Sequence, residues 1–347
     1  MAKRNSYLDK YDQYADEYAD LYDPAESDRQ VRRKRKKTPN HTPKLTDAEI
    51  LEQIADPMGL EGGFDTTYEP SKHEAGWLLE SIGSFFNLDY IIDVLAQVKG
   101  GKEASVYRCA AHPSTGYDFL AVKVYRPRMF RNLRNDKMYR EGRNMLNADG
   151  KELKPNEQRA MRAIDKKSSY GALLQHTSWL MHEYITMENL HNLGAAVPKP
   201  IASSENAILM TYHGDRSIAA PTLNSVNLPE DEAEPLLDSA LHNIELMLAN
   251  GIIHGDLSAY NILYWAGELT VIDFPQVVNA EGNENAYAIF QRDVTRVCDY
   301  FASQGIRRDP QQIVDRLWDK YIGTDPIGNL ADLSRITEAP DDDDDDD

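Results

Sequence analysis

Apolar positions along the chain recur with two different periods. Between Lys72 and Phe86, Leu78, Ile82 and Phe85 fall on one face at steps of three and four, flanked by Leu79 and Phe86. That spacing predicts an amphipathic helix. Thr46 followed by Glu49 has the form of a capping box and predicts an earlier helix, Asp47–Ala55. From about Ile91 short β-rich runs take over: Val94–Lys99, Ala104–Cys109, Phe119–Tyr125 and Ile208–Thr211. A helix over Ala172–Leu193 separates the last two. After Pro229 the helical period dominates. Asp231–Asn250 is long and amphipathic with Gly251 just past its end, and Asp293–Gln304 and Pro310–Tyr321 follow. A β-rich first half with one main helix, then a mainly helical second half, predicts an α+β fold. Its expected form is two lobes with a cleft between them, preceded by a helical N-terminal extension.

Charge refines this picture. The 347 residues carry a formal net charge of −19, and the run Asp341–Asp347 accounts for seven of those charges, so the body is acidic without its tail. A uniformly basic nucleic-acid binder is therefore excluded, but a local basic patch is not. Residues 1–28 hold eight acids against three bases. Arg29–Lys37 then holds seven basic residues in nine, and the breaker-rich stretch 38–43 follows. Tyr7, Tyr11, Tyr14, Tyr18 and Tyr22 repeat at helical spacing within the acidic block, which reads either as a partner-binding helix that orders on docking or as a solvated arm. The basic run reads either as an RNA-phosphate contact or as a partner for the chain's own acidic segments. Two cysteines, Cys109 and Cys298, exclude a disulfide scaffold and a Cys-rich zinc site. No apolar run reaches membrane-spanning length, and the first residues contain no apolar leader core, so a soluble cytoplasmic protein without membrane contact is expected.

The densest chemistry lies in Ile252-Ile253-His254-Gly255-Asp256-Leu257-Ser258-Ala259-Tyr260-Asn261-Ile262-Leu263. Twelve residues after Asn261 comes Asp273, in Thr270-Val271-Ile272-Asp273-Phe274-Pro275-Gln276. Apolar strands flank both polar clusters, and a short hairpin would bring the clusters together. Three oxygen-bearing side chains at strand ends suit phosphoryl transfer. Asp256 would orient a hydroxyl or water, while Asn261 and Asp273 would hold Mg²⁺ (or Mn²⁺), a hard ion that takes oxygen ligands. The bland alternative is that Asp256 and Asn261 cap turns, but their joint spacing with Asp273 argues against it. Upstream, Lys123 in Ala121-Val122-Lys123-Val124-Tyr125 resembles the strand lysine that reaches the α- and β-phosphates of ATP. It needs an acid to hold it. Glu183, beside the apolar face carrying Leu180, Met187 and Leu190, is preferred over Glu188. Before Lys123 the loop Lys99-Gly100-Gly101-Lys102-Glu103-Ala104-Ser105-Val106-Tyr107 can turn tightly at its glycines, with Lys102 and Ser105 as phosphate donors.

Together these segments, with Phe290-Gln291-Arg292-Asp293-Val294, resemble the RIO family of atypical serine/threonine kinases from about Val94 to Ala302. The glycine loop is closest to one subfamily and Ile-Asp-Phe-Pro-Gln to a second, so the subfamily stays open. The resemblance implies a bilobal protein-kinase-like fold with residues 94–214 as N-lobe and 215–337 as C-lobe. Around them lie a charged arm (1–44), the helical extension (45–93), a basic insertion (about 126–171) and an acidic tail (338–347). It implies that Lys123, Gly100, Gly101, Lys102, Ser105, Val106, Met210, Tyr212 and Leu263 bind ATP. Asp256 would be the base, and Asn261 and Asp273 would hold the metal. In this family the position of Asp273 has also been proposed to accept the phosphoryl group as an aspartyl-phosphate during an ATPase cycle. A monomeric kinase or ATPase acting in small ribosomal subunit maturation follows, with rRNA contacts through Arg29–Lys37 and the insertion. The alternatives are a small-molecule phosphotransferase, which shares His-Gly-Asp-x4-Asn, and an ATP-gated assembly factor.

Two features depart from ordinary kinases, and two more from the pattern of the resembled family. Gly255 replaces the arginine of His-Arg-Asp, and Asp293 follows Asp273 by only twenty residues, leaving no room for an activation loop. Thr211 stands at the hinge where Glu is expected. Sixty residues separate Lys123 from Glu183, and Arg128, Arg131, Arg134, Lys137, Arg140 and Arg143 recur there every third residue. Steps of three drift by about −60° each on a helix, so these residues would spiral round it rather than form a stripe. Either a basic loop contacting phosphate or RNA, or a solvated insertion, fits better.

Overall fold

A computed structural model describes residues 66–101, 104–125, 144–153, 158–166 and 168–323. The tyrosine arm, the basic run 29–37, the helix expected at 47–55, Lys102, the basic residues 128–143 and the aspartate tail lie outside the described residues.

The chain divides into two compact units. The first takes the described residues up to 125, those between 145 and 181, and 201–210. It opens with α1 (Lys72–Asn87), then β1 (Ile91–Gly100), β2 (Ala104–Ala111) and β3 (Phe119–Tyr125). Next come α2 (Gln158–Asp165), α3 (Ser169–Asn192), which runs on into the second unit, β4 (Pro200–Ser203) and β5 (Ala207–Thr211). The strands form one sheet in the order β1-β2-β3-β5-β4, with β1–β2 and β2–β3 antiparallel. Strict alternation in β2 buries Ser105, Tyr107, Cys109 and Ala111 and leaves the residues between them part-exposed. Leu78, Ile82 and Phe85 of α1 pack into the same core as Val94, Tyr107, Leu120, Val122 and Leu209. The helical segment expected as a separate extension is thus part of this unit's core. Each of those fully buried side chains contributes about 1.5–3 kcal/mol relative to exposure.

The span expected as an insertion over 126–171 contains α2 and the first turn of α3. Gly171, which would ordinarily argue against a helix, lies where α2 comes close. A Cβ there would stand 2.1 Å from the Ala163 carbonyl oxygen, so the absence of a side chain permits the contact.

The second unit takes 182–200 and the described residues from 211 onward. Its elements are α4 (Glu230–Ala249), β6 (Ile252–Ile253), β7 (Ile262–Trp265), β8 (Glu268–Val271), β9 (Val278–Asn279), α5 (Ala286–Ser303) and α6 (Pro310–Tyr321). β6 pairs with β9 and β7 with β8, both antiparallel. α5 begins seven residues earlier than expected and buries Tyr287, Ile289, Phe290, Val294, Val297 and Phe301. α6 starts on Pro310, with Asp309 accepting from the amides of Gln311 at 3.0 Å and Gln312 at 3.4 Å. Among the described residues, no helix is long and apolar enough to cross a membrane.

Candidate active site

Sheet register assembles the proposed phosphate-binding half within the first unit. Val106 of β2 stands opposite Lys123 of β3, and Ser105 opposite Val124. Gly100 pairs with Ser105 across β1–β2, and the Gly101 amide closes the turn on the Ala104 carbonyl at 3.0 Å. Lys123 is 8% exposed, with its Nζ 5.4 Å from the centre of the Tyr125 ring. Ser105, expected as a phosphate donor, instead shares the buried sheet face of Tyr107, Cys109 and Val124, opposite to the face of Val106 and Lys123. Met210 ends this unit's share of β5, while Tyr212 and Leu263 belong to the second unit. Thr211 occupies the hinge position without a carboxylate. Its amide donates to Lys199 O and its Oγ1 accepts from Lys199 N, each at 3.0 Å.

On the part of α3 in the second unit, Glu183 is 2% exposed, whereas Glu188 is exposed. A carboxylate buried to that degree requires a compensating donor or cation.

The catalytic-loop segment is built from the backbone outward. α4 ends, and β6 carries the chain to His254, which is 1% exposed. His254 Nδ1 accepts from the Asp256 amide at 3.3 Å, so Nε2 is the nitrogen that donates to Ile272 O at 3.0 Å. Its ring lies 5.0 Å from that of Phe274, which is fully buried. Gly255 has φ 85°. Its amide donates to Asp293 Oδ2 at 2.8 Å, and its carbonyl accepts from Arg292 Nη2. A turn of 3₁₀ helix, Ala259–Asn261, then swings Asn261 back. Its Nδ2 donates to the Asp256 carbonyl at 2.9 Å and to Asp256 Oδ2 at 3.1 Å. The other carboxylate oxygen of Asp256 accepts from Arg296 Nη1 at 3.1 Å.

The hairpin β7–β8 closes the arrangement. Ile262 pairs with Val271, and one step beyond the ladder the Ile272 amide donates to Asn261 O at 2.9 Å. Asn261 therefore precedes one strand and Asp273 follows the other, so the antiparallel ladder brings the backbones carrying them side by side. Asp273 has φ 74°, a left-handed conformation that costs about 1–3 kcal/mol outside glycine and clusters at functional sites.

The sequence flagged Phe290–Val294 only as a resembling segment. The structure gives its charges work. Asp293 is fully buried, and burial raises its carboxyl above the usual range against the opposing pull of His254, Arg292 and the Gly255 amide. Arg292, Asp293 and Arg296 recur at helical spacing amid buried Ile289, Phe290, Val294 and Val297. Charges on an otherwise apolar face are the available signal for such a role.

The donor set fits a divalent cation with nucleotide. Asn261 uses its amide nitrogen on Asp256, which leaves its oxygen for a ligand. Among the described residues no three His, Cys, Asp or Glu side chains cluster. A hard ion here would have few protein ligands and would depend on phosphate oxygens, as Mg²⁺ does in phosphoryl-transfer sites.

The RIO domain family matches residues 136–313, a span that holds Asp256, Asn261, Asp273 and Glu183 and begins after Lys123. The chain is similar to RIO-type serine/threonine-protein kinase Rio1 of Thermoplasma acidophilum, 33% identical over 135 residues, 39% of this chain and 69% of that protein. It is similar to serine/threonine-protein kinase RIO1 of Chaetomium thermophilum, 30% identical over 234 residues, 64% of this chain and 42% of that protein. Serine/threonine-protein kinase RIO2 of Caenorhabditis elegans is 29% identical over 179 residues, 49% of this chain and 31% of its own length. The chain thus spans two thirds of the Thermoplasma relative and under half of the other two. It belongs to the RIO domain family, whose members named above are serine/threonine-protein kinases.

Proposed function

We propose that this protein transfers the γ-phosphoryl group of ATP to a serine or threonine hydroxyl, or to water. One observation carries the reading. Asn261 is tied to both the backbone and the carboxylate of Asp256, while its own carbonyl anchors the strand end that delivers Asp273. Base and metal-binding groups are thereby fixed to one another through a single residue, by its side chain on one hand and its backbone on the other. Asp256 accepts the proton of the attacking hydroxyl, and Asn261 and Asp273 present oxygens to a divalent cation, Mg²⁺ or Mn²⁺. When bound, that cation neutralises charge on the phosphates. Lys123, its stem packed in the sheet, binds phosphate oxygens. A setting in small ribosomal subunit maturation rests on the resemblance to the RIO family, and RNA contacts through the basic run 29–37 and the basic residues 128–143 rest on the charge pattern.

For Asp273 a second role stays open, as the carboxylate that takes the phosphoryl group before water releases it; its strained backbone favours a role beyond packing. The test is turnover of γ-labelled ATP by the purified full chain. Asp256→Ala and Asp273→Ala are each expected to lower it at least about 10²-fold. Retained turnover in both variants would overturn the proposal. A protein-bound label released by hydroxylamine is an acyl phosphate and assigns the second role to Asp273, whereas a label that survives hydroxylamine and acid is on serine or threonine.

A further inference from the structure

Arg296 lies on α5, three residues beyond Asp293 and four beyond Arg292. Its Nη1 donates to Asp256 Oδ1 at 3.1 Å, while Asn261 Nδ2 donates to Oδ2 at 3.1 Å. The carboxylate of Asp256 is thus held from both sides by different elements. Each carboxylate oxygen has two acceptor sites, so this grip leaves one on each oxygen for a substrate proton. The base is oriented without being blocked. The two side chains are 44% and 41% exposed, and an ion pair that open to water adds little to folding. Its effect falls on orientation. The carboxylate torsion of aspartate is broad and two-fold when untethered. With Asn261 alone, one oxygen would be held and the other free to swing.

The neighbours of Arg296 make the same argument for the backbone. Asp293 fixes the Gly255 amide and Arg292 the Gly255 carbonyl. One helix face therefore holds both peptide units that flank Gly255, the residue before the base, and the side chain of the base itself.

We propose that Arg296 is a positioning residue for Asp256, setting the carboxylate angle at which the acceptor hydroxyl or water is met. This rests on Asp256 being the base. The test compares steady-state Mg-ATP turnover, counted as phosphate released plus phosphate transferred to dephosphorylated casein, in full-length Arg296→Ala, Arg296→Lys, Arg296→Met and Asp256→Ala. Arg296→Ala should lower kcat about tenfold and leave KM for Mg-ATP within about twofold, the pattern of an interaction that acts on the chemical step. Arg296→Lys, which keeps one charged donor, should recover most of the loss, and Arg296→Met, which keeps the stem alone, should not. Circular dichroism melts of the same samples report folding. If Asp256→Ala is inactive while Arg296→Ala keeps kcat within twofold, the positioning role fails and the kinase reading stands. If Arg296→Ala loses turnover only in proportion to its unfolded fraction, the role is structural and the inference is overturned. If Asp256→Ala retains turnover, the base assignment itself fails, and this inference with it.

Discussion

Substitution of Gly255 by alanine strikes the point where the catalytic loop is most tightly enclosed. The residue sits at φ 85°, and an added Cβ would lie 2.1 Å from Gln276 O and 2.9 Å from Gln276 C. The contact is with backbone just beyond the β6–β9 pair, where Ile253 opposes Val278, so no flexible side chain can give way. A left-handed alanine costs about 1–2 kcal/mol, and forcing apart packed backbone adds about 1–3 kcal/mol. The expected loss is therefore about 2–5 kcal/mol, out of the ~5–15 kcal/mol of a typical protein. With a urea slope near the upper end of ~1–3 kcal/mol/M, the midpoint should fall by roughly 1–2 M. Urea titration by circular dichroism measures this, and ATP turnover below the transition measures the site. Turnover should fall further than the folded fraction, because displacing residue 255 disturbs its bonds to Asp293 and Arg292 and carries Asp256 with it. A variant that unfolds within about 0.5 kcal/mol of the unaltered chain and keeps full turnover would refute the reasoning.

Two further outcomes concern the second unit. Asn243, 3% exposed, accepts from the Ala196 amide at 2.7 Å and donates to Ser239 O at 2.8 Å. Asn243→Ala strands that amide and should cost about 1–3 kcal/mol, read from the same urea titration, with no change if water replaces the lost acceptor. His213 is held below its ordinary value of 6.5 by burial, which Glu268 only partly opposes. A histidine with a depressed folded pKa stabilises above its unfolded value and loses that contribution as pH falls through it. Melting temperatures should therefore drop from about pH 6.5 downward, and His213→Gln should flatten that limb.

The readable parts of this molecule are those whose pattern is local. Leu78, Ile82 and Phe85 announce α1, and the alternation around Lys123 announces β3, because each reflects one face against one core. Asp256, Asn261 and Asp273 stand out because a short hairpin fixes their spacing. Other features depend on partners far along the chain. β4, four residues opening on Pro200, exists by pairing inside a sheet. β6 and β9, two residues each, exist by pairing with each other. The start of α5, Ala-Tyr-Ala-Ile-Phe, is an apolar run whose period cannot separate a helix from a buried strand. The first turn of α3 contains Gly171, and only the nearness of Ala163 explains a glycine there. Arg296 belonged to no motif, and its contact with Asp256 spans forty residues.

The β7–β8 hairpin carries a lesson about how such sites can be searched for. Its ladder runs from Ile262 opposite Val271 to Trp265 opposite Glu268, with Ala266 and Gly267 at the tip in left-handed conformations. The twelve-residue interval between Asn261 and Asp273 is the length of two matched strands, a two-residue turn and the short step out to Asp273. Lengthening both strands by one residue pair would change the interval while leaving Asn261 and Asp273 at the same open end of the ladder. A sequence pattern that demands a fixed interval would pass over such a relative. One that asks for an asparagine before an antiparallel pair, and an aspartate two residues after it, would not.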